Sequence, residues 1–332
     1  MTKVLLPQAA SATPSPTTLV HRSRIPTIVY ARICDRIEPE ATDGSIVVTG
    51  LEHRFDTLTR DLPLAGGASL TPDADKMPAL VRSLYDQAPW LDEAIHHIDT
   101  QLRLQLWAGR PWVAFRPLLL VGPPGCGKSH LARLIAERSG AGFAVLDLAG
   151  VSDNRTLEGT ARGWTTAQPC FPAITINRTA TANPVICLEE IDKAGGSSRN
   201  GDPLATILTM IEPSTARGYF DKCLLAPLDL SHVNWIMTAN DASRLPGPLR
   251  SRLDIIALTG PGPEHFDALF GNLLRDLAGR WGLRPDMLPQ IDRDIETMLK
   301  TRFARHRSVR RLTRELETVL AASIQTTPRP VH

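Results

Sequence analysis

No stretch of this 332-residue chain approaches the roughly 18 consecutive apolar residues of a membrane span, so no membrane association is expected. An excess of one charge is missing too. The 37 Lys and Arg face 35 Asp and Glu, and a net charge of +2 favours neither nucleic acid nor a lipid surface. Cysteine is sparse: Cys34, Cys126, Cys170, Cys187 and Cys223 are odd in number, scattered, and at no metal-ligand spacing. A disulfide scaffold and a zinc module are thereby excluded, and a reducing compartment, taken as the cytoplasm, is expected. Acid is absent from residues 1–34, which carry Lys3, Arg22, Arg24 and Arg32 among many Ser, Thr and Pro. That is a weak form of transit-peptide composition. Pro7, Pro14, Pro16 and Pro26 interrupt any amphipathic helix there, so residues 1–27 are expected to be disordered. There is no continuous apolar segment for secretion, and no internal repeat. An apolar fraction of 42% and a charged fraction of 22% are ordinary for a globular protein, and the length allows two domains.

What is present centres on Gly122-Pro123-Pro124-Gly125-Cys126-Gly127-Lys128-Ser129, which fits the phosphate-binding pattern G-x-x-x-x-G-K-[ST]. The pattern needs a strand before it and a helix after it. Pro117-Leu118-Leu119-Leu120-Val121 is a short apolar run that reads as a buried parallel strand. From Ser129 onward, Leu131, Leu134 and Ile135 share one helical face, and Gly140 suits the position just past the helix end. Glycines let the loop backbone turn tightly, so that N–H groups and the helix N-terminus face phosphate oxygens. Lys128 is then placed to reach the β- and γ-phosphates of ATP, and Ser129 to ligate Mg²⁺.

Residues 28–75 carry little pattern beyond a short candidate strand, Ile46–Thr49, and 1–75 is expected to be disordered or irregular. A helical lead-in spans 76–110, from Met77 to about Tyr85 and from Trp90 to Trp107. In the second stretch Leu91, Ile95, Ile98, Leu102 and Leu106 lie along one face. Within 111–260, apolar runs alternate with helical patterns, which implies an α/β fold with a parallel sheet. The runs after the first are Phe143–Leu148, Val185–Leu188, Trp235–Asn240 and Ile255–Leu258. From 261 to about 325 the pattern is helical only, over 264–280, 292–303 and 308–324. This predicts a small helical lid.

Leu188-Glu189-Glu190-Ile191-Asp192-Lys193 closes the Val185–Leu188 strand with two carboxylates. ATP hydrolysis needs such a pair, one to order Mg²⁺ through its waters and one to polarise the attacking water. By position Glu189 takes the metal role and Glu190 the water role.

These motifs together resemble an AAA+ ATPase, and in particular the ATPase module of the Lon protease family. The resemblance rests on Asn183–Lys193, Gly201-Asp202-Pro203, Phe220-Asp221, Asp229-Leu230-Ser231, Thr238-Ala239-Asn240, Pro246 and Pro248–Asp254, in family order and spacing. It covers about 115–325. It implies a five-stranded parallel sheet of order 5-1-4-3-2 with helices on both faces. It also implies the sensor 1 role for Asn240 and the arginine finger for Arg252, with Arg250 as the alternative. The resemblance makes Arg310 the sensor 2 arginine, with Arg311 as the alternative, while Arg302, Arg305, Arg307 and Arg314 form a solvated face. Gly163-Trp164-Thr165 falls where the family carries an aromatic pore loop, so Trp164 is either a residue that grips a threaded polypeptide or a core tryptophan.

The chain departs from the family at Glu189, where aspartate is usual, and at Thr165, more polar than expected. It reaches residue 332 soon after the lid, which leaves no room for a Ser-Lys protease domain, so no peptidase activity is expected. Its first 110 residues also differ from the family's N-terminal domain. The implied function is ATP hydrolysis by a ring, a hexamer by family habit, that remodels a protein partner. A nucleotide-dependent switch or scaffold with little turnover is the rival.

Overall fold

The computed structural model describes residues 28–38, 51–70, 77–151, 154–195 and 201–326. The candidate strand Ile46–Thr49 and the expected disordered segment 1–27 lie outside these residues.

The chain enters through β1 (Tyr30–Arg32), which pairs antiparallel with β2 (Asp61–Pro63). The sequence predicts irregular structure here. The structure packs Ile33, Cys34, Leu51, Leu58 and Leu62 into the main core instead. Strands of three residues show no period long enough to read, and their order comes from distant partners. Asn183, fully buried, donates to Ala65 O and Val113 O and accepts from Ala65 N. Asn234, beside it, accepts from Phe115 N and donates to Val113 O and Asn183 O. Two buried amides with every bond made fix this segment against the sheet.

Helices Ala79–Gln87 and Asp92–Trp107 follow. Ile95, Ile98 and Leu102 of the second are fully buried, as its 3.6-residue spacing requires, and Leu106 is half-buried. This helix docks on the far edge of the sheet through Asp254, which accepts from Gln101 at 3.1 Å, lies 2.9 Å from His97 Nε2 and pairs with Arg116.

The central sheet holds β3 (Leu118–Val121), β4 (Phe143–Asp147), β5 (Val185–Glu189), β8 (Asn234–Ala239) and β9 (Asp254–Ala257), all parallel. Its spatial order is β4-β5-β8-β3-β9. Counted within the sheet this is 2-3-4-1-5, the expected order read from the other edge. Leu118–Leu120 and Val185–Leu188 are buried throughout because helices cover both faces. The hairpin of β6 (Tyr219–Asp221) and β7 (Ala226–Leu228) stands apart as its own two-stranded sheet.

Helix Lys128–Ser139 follows β3, begins after Gly127 and stops at Gly140, whose φ of +70° is the left-handed stop expected there. Leu131, Leu134 and Ile135 are buried beneath it, each contributing about 1.5–3 kcal/mol by leaving water. After the sheet, helices Phe266–Arg280, Arg293–His306 and Val309–Thr326 enclose a separate core around Phe266, Phe303, Leu312 and Leu316. This is the expected lid. Trp90 packs against both this core and the sheet's inner core, and so joins the two.

Candidate functional site

The carboxyl ends of β3, β5 and β8 open into a cleft of about 370 Å³ that the lid covers. Gly125, Gly127, Lys128 and Ser129 line one wall, Glu189 and Glu190 the floor, Thr238 and Asn240 the side, and Arg310 the lid. These residues lie far apart in the chain. The parallel sheet brings them together because every strand delivers its end to the same edge.

The loop geometry requires its glycines. Gly127 has φ +107°, and a side chain there would start 3.1 Å from Trp90 Nε1. At Gly122 a Cβ would stand 2.3 Å from Leu258 O, where the loop passes the end of β9. Trp90 Nε1 donates to Cys126 O at 3.1 Å, and its ring meets His265 edge-on. The sequence reading places Trp90 only at a helix start. Its position beside the phosphate loop depends on the fold and has no local signal.

Lys128 Nζ donates to Gly122 O at 2.6 Å, to Pro123 O at 3.1 Å and to Asn240 Oδ1 at 3.4 Å. The ammonium thus spans the loop and the β8 terminus. Glu190 follows β5 with φ +55°, uncommon for a residue with a side chain, and its carboxylate takes Lys193 Nζ at 2.7 Å. His130, next to Ser129, also lines the cleft. Burial pushes its imidazole below the ordinary value and Arg133 adds to this, while Asp276 and Glu137 oppose it. Burial thus favours the neutral imidazole at His130.

The competing arginines separate by contact. Arg310 faces the cleft, whereas Arg311 reaches Glu315 at 3.3 Å. Arg252 is tied to Glu212 and donates to Pro248 O at 2.9 Å, outside the cleft. Arg250 is exposed at the end of the short helix Gly247–Arg250, two residues before Arg252. Arg302, Arg305, Arg307 and Arg314 are exposed. Trp164 is 66% exposed on a turn closed by the Thr160–Gln168 bridge, so it is no core residue.

The cleft suits Mg·ATP. It offers a cradle of backbone amides, the Lys128 ammonium, the Ser129 hydroxyl and the carboxylates of Glu189 and Glu190, with Thr238, Asp276, Arg310 and Thr313 also on its walls. The described residues contain no cluster of three or more His, Cys, Asp or Glu side chains able to cage a metal. Mg²⁺ suits such a place, because it binds through one or two protein oxygens, substrate phosphates and retained waters. A second groove of about 750 Å³ runs beside it between the phosphate-loop helix and the first lid helix. It shares His130, Asn272 and Asp276 with the cleft but holds none of the loop's glycines, lysine or serine. Among the described residues no helix is long and apolar enough to cross a membrane, and all five cysteines are free and buried.

A phosphate loop, a paired-carboxylate strand end and a helical lid on a 5-1-4-3-2 sheet define a nucleotide-dependent P-loop protein. Its family follows from comparison. Residues 118–261 match the ATPase family associated with various cellular activities (AAA). Lon protease 2 of Myxococcus xanthus is 37% identical over 206 residues, 62% of this chain and 25% of that protein. The Lon protease of Aquifex aeolicus is 31% identical over 290 residues, 86% of this chain and 35% of its own. The closed-state cryo-EM structure of Hsp104 with ATPγS and FITC casein superposes with a TM-score of 0.59 at 16% identity, over 78% of this chain and 50% of that one. Residues 118–261 thus carry an AAA domain, and the region around it is similar to the corresponding part of Lon proteases. The chain spans about a quarter to a third of the length of these curated relatives.

Proposed function

We propose that this chain binds Mg·ATP and hydrolyses it, and that it works as a ring that remodels protein substrates. The convergence of Lys128, Ser129, Glu189, Glu190, Asn240 and Arg310 on one cleft carries the reading. In it, residues 111–260 form the ATPase core and 261–325 the lid. The phosphate loop and Lys128 hold the phosphates, and Ser129 with Glu189 holds Mg²⁺. Bound Mg²⁺ supplies charge neutralisation on the phosphates. Glu190 takes a proton from the attacking water, and Asn240 orients that water. Arg310 answers nucleotide from the lid, and Arg252 reaches the neighbouring subunit's nucleotide. Trp164 contacts the polypeptide. The reading concerns only the part of the Lon proteins to which the similarity extends. Five free thiols suit a reducing compartment such as the cytoplasm.

A second reading, a nucleotide-dependent switch with little turnover, draws on two contacts. Lys128 is engaged by loop carbonyls, and Glu190 by Lys193. Steady-state ATPase activity across protein concentration, with Glu190→Gln beside the wild type, separates the two. The first reading expects specific activity to rise with concentration and to vanish in Glu190→Gln. Tight ATP binding with no turnover at any concentration would establish the switch.

A further inference from the structure

The backbone pairing between β5 and β8 ends at Leu188 and Met237. Beyond that point the strands deliver Glu190 and Asn240, yet no ladder bond holds them to each other. Two side chains take over. Thr238 is 2% exposed, lines the cleft, and its Oγ1 accepts the backbone N–H of Glu190 at 3.1 Å. Asp192 Oδ2 accepts the N–H groups of both Asn240 and Asp241 at 3.1 Å. The turn between them is closed by Lys193 N donating to Glu190 O at 2.8 Å.

We propose that Thr238 and Asp192 are positioning residues for ATP hydrolysis, clamping the turn that carries Glu190 to the strand end that carries Asn240. The backbone at Glu190 lies at φ +55° and ψ +41°, a conformation that a residue with a side chain adopts only where its surroundings impose it. The Thr238 hydroxyl is the hydrogen-bond partner that holds it there. A base and a water-orienting amide act together only if their separation is fixed, and a displacement near 1 Å can cost about 10²-fold in rate. Neither Thr238 nor Asp192 touches the reacting atoms in this scheme. Both act through the groups they hold, and the inference rests on the hydrolytic reading given above.

The test compares Thr238→Val, which keeps shape and removes the acceptor, with Thr238→Ser, which keeps the acceptor. Asp192→Ala and Asp192→Asn form a second pair, because one oxygen takes both bonds and the amide of Asn retains it. Each full-length variant is measured for ATP affinity, kcat and melting temperature. Thr238→Val and Asp192→Ala are expected to lower kcat by about 10- to 10²-fold with ATP affinity unchanged, and the Ser and Asn variants to keep most of it. In single-turnover assays Thr238→Val is expected to add no further loss to Glu190→Gln, since the two act through one group. A melting shift with wild-type kcat in both Thr238→Val and Asp192→Ala overturns the clamp. So does a full additional loss in the double variant. Glu190→Gln hydrolysing ATP at the wild-type rate overturns the hydrolytic reading and the clamp with it. A silent Glu190→Gln beside an active Thr238→Val overturns the clamp alone.

Discussion

Lys193 Nζ lies 2.7 Å from Glu190 Oε2, three residues along the same turn. A carboxylate hydrogen-bonded to an ammonium has one oxygen fewer for a water. The pair is partly exposed on both sides, at 44% and 38%, and such pairs typically contribute about 0.2–1 kcal/mol. Lys193→Met is therefore expected to raise basal turnover modestly, by at most about 5-fold, the equivalent of 1 kcal/mol. Glu190→Gln removes the proposed base and is expected to cost about 10²-fold or more with ATP binding intact. Phosphate-release rates beside nucleotide titrations check both. Lower turnover in Lys193→Met would show that the lysine assists the carboxylate.

Lys128 makes its three contacts with loop carbonyls and Asn240. These are groups it would exchange for phosphates. Lys128→Ala removes the ammonium and is expected to weaken ATP affinity, whereas Glu190→Gln is not. Ser129 and Glu189 are hard oxygen donors, so chelation is expected to abolish turnover and added Mg²⁺ to restore it. Hydrolysis that persists in excess chelator would refute the metal assignment.

The parts of the fold and site that the sequence reveals are those whose signal is local. Leu118–Leu120 and Val185–Leu188 stand out as strands because both faces are covered, so no polar residue interrupts them. The phosphate loop is legible because its glycines, lysine and serine must fall at fixed spacing within eight residues. Residues 28–70 are not, since Ile33, Cys34 and Leu58 are ordered by contacts with residues more than a hundred positions away, as the Asn183–Ala65 bonds show. Trp90, Thr238 and Asp192 are silent for the same reason. A tryptophan at a helix start, a strand threonine and a turn aspartate have ordinary local roles, and only the apposition of distant segments gives them others.

Arg252 is held by Glu212 within its own chain. In a ring it would exchange that carboxylate for the neighbour's phosphate. An arginine finger typically contributes about 10³- to 10⁵-fold to turnover. A partly exposed pair such as Arg252–Glu212 contributes at most about 1 kcal/mol to stability. Arg252→Ala is thus expected to lose at least about 10³-fold in turnover with little change in melting. Mixing it with Glu190→Gln subunits is expected to restore some activity by pairing an intact finger with an intact base. If Arg250→Ala shows this pattern instead, the finger is Arg250.

The pH dependence of stability follows from His130. Its folded-state pKa is depressed by burial, so the unfolded chain takes up a proton first as the pH falls. The favourable contribution is fully present above the ordinary imidazole value near 6.5 and is lost as the pH drops toward the lower folded value. His232 is depressed in the same direction, again chiefly by burial. His130→Asn is therefore expected to flatten, without abolishing, the fall in melting temperature between pH 7 and pH 5. An unchanged slope would show that His130 is protonated in the folded protein without cost.

Trp164 stands on a turn whose ends are bridged at Thr160 and Gln168, and whose Arg162 N–H donates to Lys222 O of the β6–β7 hairpin at 3.1 Å. The turn is thus anchored while its tip is in solvent. A large aromatic at 66% exposure gains little for the fold, whereas a flat apolar ring can wedge against an extended chain without reading its sequence. Truncating a buried tryptophan would cost about 3–5 kcal/mol. Trp164→Ala is instead expected to shift stability by no more than about 0.5 kcal/mol, the range of ordinary surface changes. Basal ATPase activity is expected to stay at the wild-type rate, because the turn lies outside the nucleotide cleft. Stimulation of that activity by an unfolded polypeptide such as casein is expected to disappear, and Trp164→Tyr to keep part of it. Equal stimulation of wild type and Trp164→Ala would remove this residue from the substrate path. A large drop in melting temperature would show that the ring is covered in the assembled protein.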